Sequence, residues 1–280
     1  MTSVSKTIQT PTHWNSHFSV PEKNDGSQGT SQPHQELLMA SPRDVKQPLR
    51  IAIMQPYLFP YIGYFQLINA VDKFVLLDNV NFIKRGWINR NRILVNGKEH
   101  LISVPLKKAS QNQKIKDVRL VLDTSWQKKF LETIRHSYHR SPYFTKVYPL
   151  IEAVMSSAET HIAGLARESI AAINDYLGIP TKIIPTSSHY HNDELKAAHK
   201  ILDICKKEGA KEYINPIGGI DLYDESFFRH EGITIHFLKP GNINYKHFNN
   251  NFIPNLSIID VLMFNSVSAV QGLLSHYSMV

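Results

Sequence analysis

Residues 51–68, IAIMQPYLFPYIGYFQLI, decide how this chain folds. A short apolar run, Ile51-Ala52-Ile53-Met54, breaks at Gln55-Pro56. Tyr57, Phe59, Pro60, Tyr61 and Tyr64 crowd the residues that follow, and Phe65 and Ile68 then recur at helical spacing beyond Gly63. That order predicts a buried strand, a ring-rich loop and a helix whose first turn begins near Gly63. In open α/β sheets the loop at the carboxyl end of a parallel strand is where ligands bind. Gln55, Tyr57, Tyr61 and Tyr64 are therefore the first candidate site residues.

The alternation continues outward. Residues 73–78, KFVLLD, make a second buried strand that ends at Asp78. Residues 92–95 and 100–104 flank Asn96-Gly97, the strongest short hairpin signal, and predict an antiparallel ribbon. Thr124 or Ser125 can cap a helix in which Trp126, Phe130, Ile134 and Tyr138 recur four residues apart. Ser141-Pro142 opens another helix, and a third runs over 160–176 and stops at Gly178. Strand 181–185 then leads to helix 193–207, capped by Asn192 or Asp193 and ended at Gly209. Strand 212–215, helix 221–230 ended at Gly232, and strand 233–238 complete the series. Repeated strand–helix–strand units with short connections predict an α/β fold, a mainly parallel doubly wound sheet with a β-hairpin and a helical insertion over 125–177.

Composition bounds the rest. The chain has 280 residues and a formal charge of +7, 31 basic against 24 acidic side chains. A single cysteine excludes a disulfide framework and fits a reducing compartment. Cys205 sits one turn after Ile201 on the apolar side of its helix, which reads as buried filler rather than a nucleophile. Residues 1–48 are rich in Ser, Thr, Gln, Pro and Asn with little apolar periodicity and predict a disordered extension, leaving 49–280 as the folded body. No secretory apolar region and no span-length apolar stretch occur, so the expected location is the cytoplasm.

Several clusters can carry chemistry. Lys84, Arg85, Arg90 and Arg92 fall within nine residues, interleaved with Trp87, Asn89 and Asn91. Guanidiniums grip phosphate oxygens through paired N–H donors, and an indole face stacks on a base or sugar. The bland alternative is a solvated basic loop. Ser187 and Ser188 precede a helix, where hydroxyls can bind an anion. His189-x-His191 lacks a third ligand at metal spacing, so no metal is expected. Asn215, Gly218 and Gly219 link a strand to the next helix, with Tyr223 facing that loop, and paired glycines permit close backbone approach. Ser257-x-x-Asp260 before an apolar run is a capping-box pattern; a buried Asp260 would instead hold a substrate amine or a catalytic group. Asp78, at a strand end, is either a general base or a loop cap. No Ser-His-Asp order, Walker loop, zinc cysteine set or HExxH motif occurs, so chemistry here takes the form of transfer from a pre-activated donor.

Four ordered blocks, IAIMQPYLFPYIGYFQLI, IKRGWINRNRIL (83–94), YINPIGG (213–219) and LSIIDVLMFN (256–265), resemble the bacterial WbqC-like family over about residues 50–265. The N-terminal extension lies outside the pattern, and Ser266 stands where the pattern leads one to expect a glycine. The resemblance implies a setting in surface-polysaccharide assembly, chiefly O-antigen. It also implies transfer of a glycyl or other acyl group to a nucleotide-activated sugar. Partners would then be a nucleotide sugar and an activated acyl or amino-acyl donor, with aminoacyl-tRNA as the one nucleic acid in view. In that reading Tyr61, Tyr64 and Asp78 are the catalytic candidates, and the basic block takes the diphosphate. Tyr61-Ile62-Gly63-Tyr64 also echoes the H-x-G-H loop of nucleotidylyltransferases with both imidazoles replaced, which keeps an ATP-dependent adenylyl transferase open. No cofactor is otherwise implied. A non-catalytic sugar-nucleotide-binding module is the third reading.

Overall fold

The computed structural model describes residues 47–248 and 251–280. The expected extension over 1–48 lies almost wholly outside the described residues. The body opens with β1 (Arg50–Met54), α1 (Ile62–Asn69) and β2 (Lys73–Leu76). The ribbon follows as β3 (Arg90–Val95) and β4 (Lys98–Ser103). Its turn holds Asn96 and Gly97 at φ 50° and 75°, the left-handed pair that a two-residue hairpin needs. Three helices come next, α2 (Ser125–Tyr138), α3 (Phe144–Met155) and α4 (Ile162–Leu177). The chain returns through β5 (Lys182–Ile184), α5 (Ala197–Lys207), β6 (Glu212–Pro216), α6 (Glu225–His230) and β7 (Thr234–Pro240). It closes with α7 (Ile258–Phe264), α8 (Val267–Leu274) and β8 (Tyr277–Met279).

The main sheet has the order β5-β2-β1-β6-β7-β8, parallel except for β8, and the ribbon forms a separate two-stranded sheet. Alternation along each strand supplies two cores. Ala52, Phe74, Leu76, Ile214 and Leu238 face α1, the ribbon and α2–α4. Ile51, Ile53, Val75, Tyr213, Ile235 and Phe237 face α5 and α6. The fold is thus the expected α/β sheet covered on both faces, with helical segment 125–177 packed into the first core.

Boundaries moved where side chains bond across the fold. Helix α5 begins at Ala197, not Asp193, because Asp193 accepts from the Asn79 side chain 114 residues away. Helix α6 begins at Glu225 with Asp224 as its cap. At α2 the capping oxygen comes from Asp123, which accepts from Ser125 N at 2.9 Å, rather than from Thr124 or Ser125. Helix α3 starts two residues after Pro142. Ser266, the departure from the family pattern, caps α8 by accepting from Ala269 N at 3.2 Å. Cys205 is fully buried, and burial pushes its thiol up, away from thiolate chemistry.

Candidate active site

The chain leaves β1 through α1 on one face of the sheet and leaves β6 through the segment packed on the other face. Neighbouring parallel strands whose connections part in this way open a crevice at their carboxyl ends. A cavity of about 60 Å³ lies there, bounded by Met54 at the end of β1 and Pro216 at the end of β6. Tyr57, Tyr61, Tyr64, Trp87, Asn91 and Arg92 complete most of its wall.

The ring-rich loop is held by bonds that its own sequence does not contain. Phe59 takes φ 41°, a conformation unfavourable for a bulky residue. Its N–H donates to Ser169 Oγ at 3.1 Å, and its carbonyl accepts from Asn91 Nδ2 and Ser257 Oγ, each at 2.7 Å. Leu58 N donates to Ile88 O, Ile258 N to Pro60 O, and Ser257 N to Arg92 O. Helices α4 and α7 and the ribbon thus clamp the loop. Phe59 itself is core, stacked on Phe130. Tyr64 donates its hydroxyl to the Gln55 carbonyl at 2.9 Å while one side of it meets the cavity. Tyr61 lies over Gly63, where an added Cβ would come within 2.3 Å of its ring. Burial raises the phenols of Tyr61 and Tyr64, with Tyr57 adding to both, so they remain protonated donors.

Beyond the Tyr61 ring lies a larger cleft of about 520 Å³. Tyr61, Gly63 and Asn255 line both spaces, so a ligand could extend from one into the other. The far wall comes from the end of β7, with Lys239, and the segment after it, with Asn242, Asn244, Tyr245 and Phe252. Spacing arguments missed this wall, because nothing in GNINYKHF forms a periodic element or a motif. Asparagine amides beside aromatic rings were the available signal.

The structure gathers Tyr57, Tyr61, Tyr64, Trp87 and Arg92 around the small cavity. Other candidates stand elsewhere. Lys84 and Arg85 are exposed and line neither space. Arg90 turns back on its own loop, donating to the Gly86 carbonyl at 2.9 Å and to the Arg85 carbonyl. Arg92 pairs with Glu99 at 2.7 Å, and its guanidinium lies 5.1 Å from the Trp87 ring centre. The four cations therefore do not converge as a single clamp; Arg92 alone among them reaches the crevice. Asn89 donates to Val104 O at 2.8 Å, and Gln55 is buried behind the loop.

Asp78 is a staple between β2 and the turn after β5. Its Oδ1 accepts from Thr186 Oγ1, Ser187 N and Ser187 Oγ at 2.8, 3.0 and 3.1 Å. It lines neither cavity. Ser188 accepts from Lys116 Nζ at 3.1 Å in the same turn. Asn215 is buried, with the Tyr213 hydroxyl donating to it at 3.1 Å, and Gly219 leaves room for its amide; Gly218 is half-buried. Tyr223 packs on Tyr213 and Phe228. Ser257 caps α7, but the reciprocal half of a capping box is absent, because Ser257 N donates to Arg92 O. Asp260 lies fully buried, accepting from the Tyr138 and Tyr245 hydroxyls at 2.8 and 2.7 Å. Among the described residues no group of three or more His, Cys, Asp or Glu side chains is placed to hold a metal, and no helix is long and apolar enough to cross a membrane.

The profile of the WbqC-like protein family matches residues 55–272, most of the described body. The uncharacterized protein Rv1507c of Mycobacterium tuberculosis (strain ATCC 25618 / H37Rv) is 30% identical over 219 residues, covering 77% of this chain and 93% of its own length. No solved structure matches the chain. The match runs from the loop after β1 to α8 and takes in both walls of the crevice, so the chain belongs to the WbqC-like protein family.

Proposed function

We propose that the crevice transfers an acyl or amino-acyl group, such as glycyl, onto a nucleotide-activated sugar during surface-polysaccharide assembly in the cytoplasm. The observation that carries this reading is the pair of adjacent cavities of unequal size that share Tyr61, Gly63 and Asn255 in their walls. The 520 Å³ cleft falls in the roughly 300–1,000 Å³ range of small-molecule sites. The 60 Å³ cavity admits a group of only about four to six waters, at roughly 10–15 Å³ each, which suits a compact acyl group. Amides and rings on the large cleft suit a hydroxyl-rich sugar. Arg92 on one side of Tyr61 and Lys239 on the other supply positive charge for a diphosphate. Helix α1 starts beside Gly63 and no side chain among the described residues caps it, which favours an anion there. Such a reaction needs orientation and charge stabilisation more than a protein nucleophile.

A thermal-shift panel tests this. Nucleotide sugars should stabilise the protein, by about 2.7 kcal/mol at a hundredfold excess over Kd, and ATP should not. Stabilisation by ATP alone would favour the adenylyl-transfer reading, which rests on Gly63 beneath Tyr61 at the start of α1. In that reading Arg92 and Lys239 must replace the charge of the missing imidazoles, because the two phenols stay neutral. Product analysis separates transfer from mere binding.

A further inference from the structure

Asp260 is the one candidate whose environment neither capping nor packing explains. It sits on the first turn of α7 at 0% exposure. Oδ2 accepts from Tyr138 Oη at 2.8 Å, and that oxygen in turn accepts from Leu94 N of the ribbon at 2.9 Å. Oδ1 accepts from Tyr245 Oη at 2.7 Å. His247 Nε2 lies 2.8 Å from the same Oδ1, an ion pair when the ring is protonated, while Nδ1 of this buried histidine makes no hydrogen bond among the described residues. Burying a carboxylate costs several kcal/mol even when it is partnered, and the unpaired imidazole Nδ1 adds to that cost. A fold that only needed α7 capped has Ser257 for the purpose.

Tyr245 connects this buried group to the ligand space. It is a partly exposed residue on the wall of the 520 Å³ cleft, and its hydroxyl donates to the buried Asp260. The phenol oxygen therefore keeps lone pairs that can accept a second hydrogen bond. We propose that Tyr245 is the catalytic proton relay of the transfer reaction and that Asp260, held by Tyr138, is the positioning residue that receives the proton. This rests on the transfer reading above. The accepting amine or hydroxyl donates its N–H or O–H to Tyr245 Oη as its lone pair attacks the acyl carbon of an activated ester. Tyr245 passes its own proton to Asp260 Oδ1. The bond from the acyl carbon to the leaving oxygen breaks with its electron pair, and the proton returns from Asp260 through Tyr245 to that leaving group. Atoms and charge balance without another reactant.

The test uses 4-nitrophenyl acetate and 4-nitrophenyl glycinate as donors and a panel of uridine- and thymidine-diphosphate amino sugars as acceptors. Acceptor-dependent 4-nitrophenolate release is read by absorbance, and acceptor affinity by calorimetry, on the full chain and on Tyr245→Phe and Asp260→Asn. Loss of kcat by at least about 100-fold in both variants, the low end for proton-transfer catalysis, with unchanged acceptor affinity, is the expected result. Asp260→Asn keeps the acceptor oxygen but cannot take a proton. If that buried substitution unfolds the protein, Tyr245→Phe on the cleft wall carries the test alone. Full turnover in Tyr245→Phe, or affinity lost in step with turnover, overturns the relay while leaving the transfer reading intact. Absence of acceptor-dependent release in the unaltered protein overturns both.

Discussion

Gly63 and Tyr61 form one unit, since a methyl group on Gly63 would lie 2.3 Å from Tyr61 Cε2 and must push the ring aside. That ring separates the two cavities, so Gly63→Ala should weaken nucleotide-sugar binding with only a small change in melting temperature, read by calorimetry beside a melting curve. Tyr61 is only half-buried, so Tyr61→Ala should cost well under the roughly 3–5 kcal/mol of a core aromatic truncation. Tyr61→Phe should already lower affinity; a fully binding Phe variant beside a strongly destabilised Ala variant would reduce the ring to a structural role. Phe59 offers a second residue-scale test. Asn91 and Ser257 both donate to its carbonyl, so either alone should leave one donor in place. Asn91→Ala and Ser257→Ala should each cost about 1 kcal/mol and the pair more than the sum, because only the double variant strands a buried carbonyl. Denaturation of the four proteins of this cycle gives the answer, and strict additivity would mean the strained loop is held elsewhere.

Elements whose signals are local could be read from the chain alone. The Asn96-Gly97 turn, the short apolar runs of β1 and β2, and the left-handed Gly178 ending α4 each depend on neighbours in sequence, and each was legible. The starts of α5 and α6 were not, because Asp193 is occupied by Asn79 and the segment over 217–222 winds as a tight helical turn before α6. Asp78 shows the same limit. A carboxylate at a strand end is ambiguous until its partners are known, and here they are Thr186 and Ser187, more than a hundred residues on. Asp78→Ala should therefore act on stability, leaving buried donors of the 186–187 turn unpaired at roughly 1–3 kcal/mol each. Ligand affinity of the protein that remains folded should be unchanged. A variant that melts normally yet loses transfer would restore Asp78 as the general base.

At the scale of the molecule, the sheet order brings together what the sequence keeps apart. The crevice draws on residues near 54–64, 87–92, 216 and 255, which meet because β1 and β6 are neighbours and the ribbon folds over their ends. The aromatic half of that site could be anticipated from one loop; the asparagine-rich wall after β7 could not, since its role depends on tertiary position alone. The basic block was visible as charge but not as geometry. Arg90 and Arg92 share one face of β3 and both lie near the Trp87 ring, at 5.7 and 5.1 Å, but Arg90 is tied to the Gly86 and Arg85 carbonyls, so Arg92 alone lines the cavity while Lys84 and Arg85 face solvent. A clamp built on all four would lose affinity at each substitution. A site built on Arg92 behaves differently. Arg92→Ala should weaken nucleotide-sugar binding by roughly 10- to 150-fold, the equivalent of about 1.5–3 kcal/mol for a charge-assisted bond. Arg92→Lys should recover part of that, because an ammonium keeps the charge and loses the fork. The double variant Lys84→Ala with Arg85→Ala should bind as the unaltered protein does at physiological salt, where exposed charges beyond about 8 Å are screened. Calorimetric titration of the three variants decides the matter: equal losses in Arg92→Ala and the double variant would mean that the exposed loop closes over the ligand and that the crevice alone is not the anion site.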